Sequence, residues 1–432
     1  MHKEAGGGLR FNRLLINHSE ISTKKGNRRF FEEQLASNIA RKIGRAGYRW
    51  IVDTKRHYHL VHIPGSSGIE EINDVIRLIS EVNGVQWVAP AIWYPASDFR
   101  QKDHTPDYEL IRKHVLELAR HYYQPGESFA VKVVRSEKQH TLPSDQLERW
   151  LGAEINEHTD WEKVDLTTPD RRFRVRIYVK DLFIIPERTA GPGGLPVGSA
   201  GQAITLLSGG FDSPIAAWLM ARRGCHIDFI HFTASHPHPE FFADSKMDRL
   251  CRWLSRFTLS SRLYLIPYTY FDMAIPDHNR PQALMVFRRF MSRTAERLAG
   301  EIGAKALITG DSLSQVASQT LENLVANYQS ISMPVMQPLI GYEKDEIVQL
   351  SRTIGSYELS VEPYKDCCSL ISQNPETKAK PHILENFEKK WIPDYEGLIE
   401  QSLNDGWCMY YECGNQIGSV SLSEDRMLQE SE

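Results

Sequence analysis

Cysteine is scarce in this chain, with six residues (Cys225, Cys251, Cys367, Cys368, Cys408 and Cys413) among 432. That excludes a disulfide-built secreted scaffold and makes reduced thiols the rule. Long apolar runs are also missing, since none approaches the roughly 20 residues that a spanning helix needs. The opening "MHKEAGGGLRFNRLL" lacks the apolar core and cleavage site of a secretory leader. A soluble, cytoplasmic protein with no membrane partner is expected. Neither GxxxxGK[ST] nor GxGxxG occurs, so any glycine turn here is neither a Walker A loop nor a dinucleotide fingerprint. No solenoid-length repeat or low-complexity block appears.

What the chain does have is an uneven charge distribution. The net charge is -4, yet residues 1–60 hold 13 Lys and Arg against 5 Asp and Glu. A basic head on an acidic body points to a polyanion-binding surface, with nucleic acid the natural occupant. The candidates are Lys24, Lys25, Arg28, Arg29, Arg41, Lys42 and Arg45. Further along, Arg171, Arg172, Arg174 and Arg176 decorate "RRFRVRIYVKDLFIIP", where Phe173, Val175, Ile177 and Val179 alternate as in one half-buried strand. Such groups contact phosphates and shape more than bases.

Periodicity divides the chain into five parts. Residues 1–95 read strand, helix, strand, strand, helix, strand, the order of a small ferredoxin-like α+β domain, with Phe31, Leu35, Ile39 and Ile43 striping the first helix. Residues 96–187 form a second mixed unit, and the Gly- and Pro-rich segment 188–202 is a linker. From 203 to about 400, "AITLLS", "HIDFIHF", "RLYLIPY" and "KALITGD" alternate with amphipathic helices, the pattern of a parallel, doubly wound sheet. Residues 401–432 read as an acidic tail. Its Cys408 and Cys413 would supply two metal ligands where a closed site needs about four, so incidental thiols are favoured and no metal site is assigned.

The turn "ITLLSGGFDSP" joins a buried strand directly to a helix. Free N–H groups and the positive end of the helix dipole then meet at the carboxyl edge of a sheet, which makes an anion site suited to phosphate. Gly209 and Gly210 permit close approach or positive φ, Ser208 and Ser213 add hydroxyl donors, and Asp212 can place Mg²⁺ against phosphate oxygens.

Ser208, Gly209, Gly210, Asp212 and Ser213 complete the "SGGxDS" signature, so the turn resembles the PP-loop of ATP pyrophosphatases. The continuation "PIAAWLMARRG" is similar to one branch, the tRNA 4-thiouridine synthetases (ThiI), also called tRNA uracil 4-sulfurtransferases. The resemblance extends to "SEISTKKGNRRFFEEQL", "GPGGLPVG", "ALITGDSLSQVASQTLENL", "PVMQPLIGYEKDEIVQLSRTIGSYE" and "PYKDCCSLIS", in the family's order. It implies an N-terminal ferredoxin-like domain, a THUMP RNA-binding domain and a doubly wound PP-loop domain of the adenine nucleotide alpha hydrolase type.

Carried onto matching positions, the resemblance implies that ATP meets Leu206, Leu207, His231, Phe232, Arg288, Gly310 and Gln319, and that Lys344 neutralises pyrophosphate as charge develops on it. Matched from upstream "RTIG", the sulfur-transfer cysteine is Cys367; matched from downstream "LISQNPETKAK", it is Cys368. The implied reaction adenylates O4 of a tRNA uridine and replaces it with persulfide-derived sulfur. Longer members append a rhodanese domain. This chain resembles the shorter form, so a cysteine desulfurase or separate rhodanese is the expected donor, and thiamine synthesis is not implied. A homodimer is a family expectation. Two other classes remain open, a PP-loop ligase or amidotransferase acting on another substrate and a catalytically silent tRNA-binding protein.

Overall fold

The protein is described from a computed structural model, which covers residues 9–18, 20–24, 26–136, 141–234, 237–276, 280–364 and 376–429. Lys25, Cys367 and Cys368 lie outside the described residues. The chain divides into two compact units, residues 1–194 and 195–432.

The first unit is built on a nine-stranded sheet. Strands β1 (Arg13–Asn17), β2 (Val52–Thr54), β3 (Tyr58–His62) and β4 (Trp87–Pro95) lie in the order β2-β3-β1-β4, with helices Arg28–Arg45 and Ile69–Ile79 between them in sequence. This is the ferredoxin-like order. The buried Phe31, Leu35, Ile39 and Ile43 of the first helix form the apolar stripe read from the sequence. The sheet continues through β5 (Ser128–Arg135), β6 (Lys163–Val164), β7 (Arg171–Ile177) and β8 (Asp181–Ile185), because β4 pairs antiparallel with β8. β9 (Thr189–Ala190) pairs β4 from within the segment read as a linker.

One strand expectation fails. "RRFRVRIYVKDLFIIP" is a hairpin rather than a single strand. The Tyr178 amide donates to the Asp181 carbonyl, and Val179 sits in the turn, 56% exposed. Asp181 pins that reversal, accepting from Tyr58 Oη at 2.6 Å and Trp93 Nε1 at 2.7 Å. No glycine or asparagine marks it.

The second unit holds a seven-stranded sheet. Strands β10 (Gln202–Leu206), β11 (His226–Thr233), β12 (Ser260–Pro267), β13 (Leu307–Ile308) and β14 (Val335–Met336) are parallel, in the order β14-β13-β10-β11-β12. The chain runs from β10 outward to β12, then returns to the other side of β10. The crevice of such a sheet therefore falls at the carboxyl ends of β10 and β13, where the order reverses. Residues within 401–432, read from the sequence as an acidic tail, add β15 (Trp407–Glu412) and β16 (Asn415–Ser421), antiparallel at the β12 edge. Cys408 there is buried in the core. Helices cover both faces of this sheet. Their apolar sides fill two clusters, one around Phe287, Phe290 and Phe271, the other around Ile215, Leu250 and Phe229.

Candidate functional site

A cavity of about 360 Å³ opens where the topology places the crevice. On the β10 side it is lined by Leu206, Leu207, Ser208, Asp212 and Ser213. The turn is drawn tight by its own serines. The Ser208 amide donates to Ser213 Oγ at 2.8 Å, and the two hydroxyl oxygens are 3.0 Å apart. Helix Asp212–Arg222 starts immediately after, directing its dipole at the cavity. His231 and Phe232, near the end of β11, form a second wall, with Gly310, Arg288 and Gln319 opposite. All the residues named for nucleotide from the sequence line this cavity except Gly209 and Gly210.

Those two glycines meet only part of the expectation. Neither has a positive φ. A Cβ on Gly209 would overlap the ring of Tyr364, so close packing is what that position requires. Gly310 is constrained more severely. A Cβ there would come within 2.5 Å of the Ser213 amide nitrogen, so the loops after β10 and β13 touch backbone to backbone.

His231 is 3% exposed. Its Nδ1 lies 2.9 Å from the Leu207 carbonyl, which only accepts, so Nδ1 carries a proton, and in the neutral ring Nε2 accepts from Tyr364 Oη at 2.7 Å. Residues just before Tyr364 are clamped. Lys246 Nζ donates to the carbonyls of Ser360 (3.1 Å) and Glu362 (2.6 Å), and Arg249 pairs with the Glu362 carboxylate. Tyr364 precedes Cys367 by three residues in the sequence.

Asp212 is the catalytic carboxylate candidate. Burial pushes its pKa up and Asp311 adds to that, while the Gln315 amide (3.3 Å from Oδ2) and Lys344 pull the other way. Gln315 Oε1 is buried without a hydrogen-bond partner. A half-buried carboxylate beside an orphaned carbonyl oxygen is an oxygen donor set that fits Mg²⁺. Lys344 does not line the cavity. It begins helix Lys344–Ile354 behind a Glu343/Glu346 capping box, where a cation opposes the helix dipole, yet its field reaches Asp212.

The floor of the cavity centres on Asp311, which the sequence did not single out. It is 3% exposed. Burial alone would raise its pKa, but the Arg288 guanidinium and hydrogen bonds from Tyr328, Arg288 and Thr309 outweigh that and hold it at about 2.

In the first unit, the basic residues separate into two groups. On the first helix, Arg28 pairs with Glu32 at 2.8 Å and Arg29 with Glu33 at 2.6 Å. Lys24 sits over the Phe31 ring, and Arg41 and Arg45 are exposed. Lys42 is 1% exposed and bonded to Glu81 at 2.8 Å, which removes it from any surface and corrects its assignment. On β7, Arg171 faces away from its neighbours and is ion-paired with Glu127 and Glu187. Arg172, Arg174 and Arg176 share the other face, where Arg176 and Arg188 both stack on Trp87, at 4.8 and 4.2 Å, and Arg13 stacks on Trp93 at 4.3 Å. Among the described residues no carboxylate pairs with Arg172, Arg174, Arg176 or Arg188. Burial, reinforced by Arg174 and Arg176, pulls the Arg188 pKa down to about 9. The Nε atoms of Arg13, Arg176 and Arg188 are buried without partners.

Family profiles match along the chain: "Thiamine biosynthesis protein (ThiI)" over residues 198–392, "ThiI ferredoxin-like domain" over 13–89 and "THUMP domain" over 106–185. A probable tRNA sulfurtransferase of Brevibacillus brevis is 35% identical over 397 residues, 91% of this chain and 95% of that one. The chain belongs to the tRNA sulfurtransferase family. Another relative, the probable tRNA sulfurtransferase of Bacillus subtilis, is 34% identical over 402 residues, covering 92% and 95% of the two chains. Among solved structures, a 4-thiouridine synthetase in complex with RNA and bound ATP superposes with a TM-score of 0.78 at 30% identity, covering 93% of this chain and 100% of that one. The PH1313 protein of Pyrococcus horikoshii shares the fold, with a TM-score of 0.59 at 20% identity over 80% of this chain and 99% of that one.

For this family member, Asp311, Gln315 and Tyr364 escaped the sequence reading. "TGDS" directly after a buried strand was a usable signal for Asp311, since strand carboxyl ends face the crevice. Tyr364 carried no such signal.

Proposed function

We propose that the protein is an ATP-dependent tRNA uracil 4-sulfurtransferase. The observation that carries this reading is the cavity at the carboxyl ends of β10 and β13, which gathers the PP-loop serines and Asp212 with His231, Phe232, Arg288, Gly310 and Gln319. ATP lies there with its phosphates on the Ser208–Ser213 turn. Asp212, with Gln315 beside it, would hold Mg²⁺, which would supply charge neutralisation to the departing pyrophosphate. Lys344 adds a cation on the same side.

The uridine O4 attacks the α-phosphorus, releasing pyrophosphate and leaving AMP on the base. This activation is needed because a carbonyl oxygen leaves poorly whereas an AMP ester leaves well. The outer sulfur of a persulfide, borne by a cysteine desulfurase or rhodanese, then attacks C4 and AMP departs. The thiolate of Cys367 or Cys368 attacks the donor's cysteine sulfur in the remaining sulfur–sulfur bond, expelling 4-thiouridine and forming a disulfide with the donor that an external thiol must reduce.

RNA phosphates are met by Arg172, Arg174, Arg176 and Arg188, which no carboxylate pairs among the described residues, with Arg171, Arg29, Arg41 and Arg45 as secondary contacts. A cytoplasmic location and a homodimer accord with this role. Among the described residues no helix is long and apolar enough to cross a membrane.

The deciding experiment supplies ATP, Mg²⁺, sulfide and unmodified tRNA. Near-ultraviolet absorbance of 4-thiouridine in the recovered RNA is the expected result. Nucleotide binding without any thiolated product would overturn the sulfurtransferase reading.

A further inference from the structure

Asp311 divides its two oxygens between two sets of donors. Oδ2 faces the floor, accepting from Thr309 Oγ1 at 2.8 Å, Gln337 Nε2 at 3.2 Å and the Tyr328 hydroxyl. Oδ1 faces the residues of the cavity wall, accepting from Arg288 Nη2 at 2.7 Å and Gln319 Nε2 at 3.2 Å. An ionised carboxylate only accepts. Gln319 must therefore turn its NH₂ toward Asp311, which fixes the amide the other way round for everything else. Its Oε1 is left buried and without a partner, in a residue that lines the cavity. A buried carbonyl oxygen with no donor is costly unless a ligand supplies one.

We propose that Asp311 is a positioning residue that locks Gln319 with its carbonyl oxygen toward the nucleotide, so that the site selects a nucleoside presenting a hydrogen-bond donor at that point. The inference rests on the cavity being the ATP site. The donors the adenosine of ATP can offer are the 6-amino group of adenine and the ribose 2′- and 3′-hydroxyls. A phosphate, which only accepts, cannot fill the role. Asp311 itself touches no nucleotide. It acts through the orientation of one amide and, by the same oxygen, the aim of the Arg288 guanidinium.

The test is direct binding without RNA, by calorimetry with the Mg²⁺ complexes of ATP, 2′-deoxy-ATP, 3′-deoxy-ATP and the triphosphate of purine riboside, which lacks the 6-amino group. One analogue is expected to bind wild-type protein at least about tenfold more weakly than ATP, as expected for leaving a buried acceptor unpaired. That penalty should fall to within about twofold in Asp311→Asn, whose new amide can donate and let Gln319 turn over, and in Gln319→Met, which keeps the bulk and lacks the acceptor. A merely structural carboxylate would lower thermal stability and leave the analogue ratios as they were. Equal binding of all four nucleotides to wild-type protein would overturn the proposal, as would a penalty that persists in Gln319→Met, a variant that decides the matter even if Asp311→Asn does not fold. If wild-type protein binds none of the four, the nucleotide reading of the cavity itself has failed.

Discussion

In the C-terminal unit the buried or half-buried arginines meet carboxylates: Arg289 with Glu388 at 2.8 Å, Arg262 with Asp228 at 2.8 Å and Arg288 with Asp311 at 2.7 Å. On the β7 face of the N-terminal unit, Arg174, Arg176 and Arg188 meet an indole ring, backbone or tyrosine oxygens and one another. Burial and neighbouring arginines lower the pKa of Arg174 and Arg188 there, and the opposing pull of Glu187 on Arg174 and of Tyr178 on Arg188 does not make up for it. The difference separates two uses of the same side chain. A paired arginine holds the chain's own architecture in place, while an unpaired cluster carries an electrostatic cost that an outside polyanion removes.

The comparison can be broken at several points. The largest effect is expected at the chemical centre, where Asp212→Ala should lower adenylation, followed as tRNA-dependent pyrophosphate release, by about 10³-fold while tRNA binding by filter retention is unchanged. Next, Arg289→Met leaves the buried Glu388 with only the longer contact to Arg293 at 3.3 Å and should cost up to about 3 kcal/mol in urea unfolding. Its tRNA affinity per folded molecule should not move. Lys42→Met belongs with it despite lying in the basic head, because the buried Glu81 loses its 2.8 Å ion pair; weakened RNA binding by a folded Lys42→Met protein would undo the distinction.

A smaller effect, of the opposite kind, is expected from Arg174→Ala combined with Arg188→Ala. The slope of log affinity against log salt for tRNA should become shallower by about 2, one unit for each arginine. Thermal stability should stay level or rise. A fall in stability with an unaltered slope would mean these arginines are structural after all.

The smallest is a pH effect. Asp311 is held at about 2 in the folded protein against 3.8 when free, so its stabilisation is complete above about 3.8 and is lost as the pH falls through 2. His18 acts in the other unit at milder acidity. Burial, with His59 and Arg28 nearby, lowers it to about 3 from 6.5, so the unfolded chain takes up a proton first and stability declines as the pH drops below 6.5. Acid unfolding should therefore loosen the N-terminal unit before the C-terminal one, and His18→Gln should narrow the gap. Fluorescence of Trp87 and Trp93 against that of Trp253 and Trp407 in single-unit tryptophan variants would follow the two separately.

The parts of the fold legible in the sequence were those whose signal is local. Helix Arg28–Arg45 announced itself by a four-residue stripe, and β10, β11 and β12 by apolar runs ending at turns. β16 was hidden because "NQIGSVS" is mostly exposed and carries little apolar pattern. The hairpin at Val179 was hidden because its turn is enforced from Tyr58 and Trp93, distant in sequence. The candidate site shows the same split. The PP-loop serines and Asp212 lie within six residues and can be read as a unit. Lys42 could not be distinguished from Arg41 without Glu81, nor Tyr364 given a role without His231, because partners brought together by folding leave no mark on the spacing.

One feature of the sheet order bears on how the chain is made. The N-terminal sheet has all its strands by residue 190, but β12 gains its second neighbour only from residues 407–412. During synthesis the emerging C-terminal unit therefore presents Leu263, Tyr264 and Leu265 on a strand whose outward amides and carbonyls lack partners for some 140 residues of further elongation, an invitation to pair with another nascent chain. A growing polypeptide with a finished, basic head and an unfinished apolar edge needs protection at that edge, and it is β15, made long after β12, that provides it.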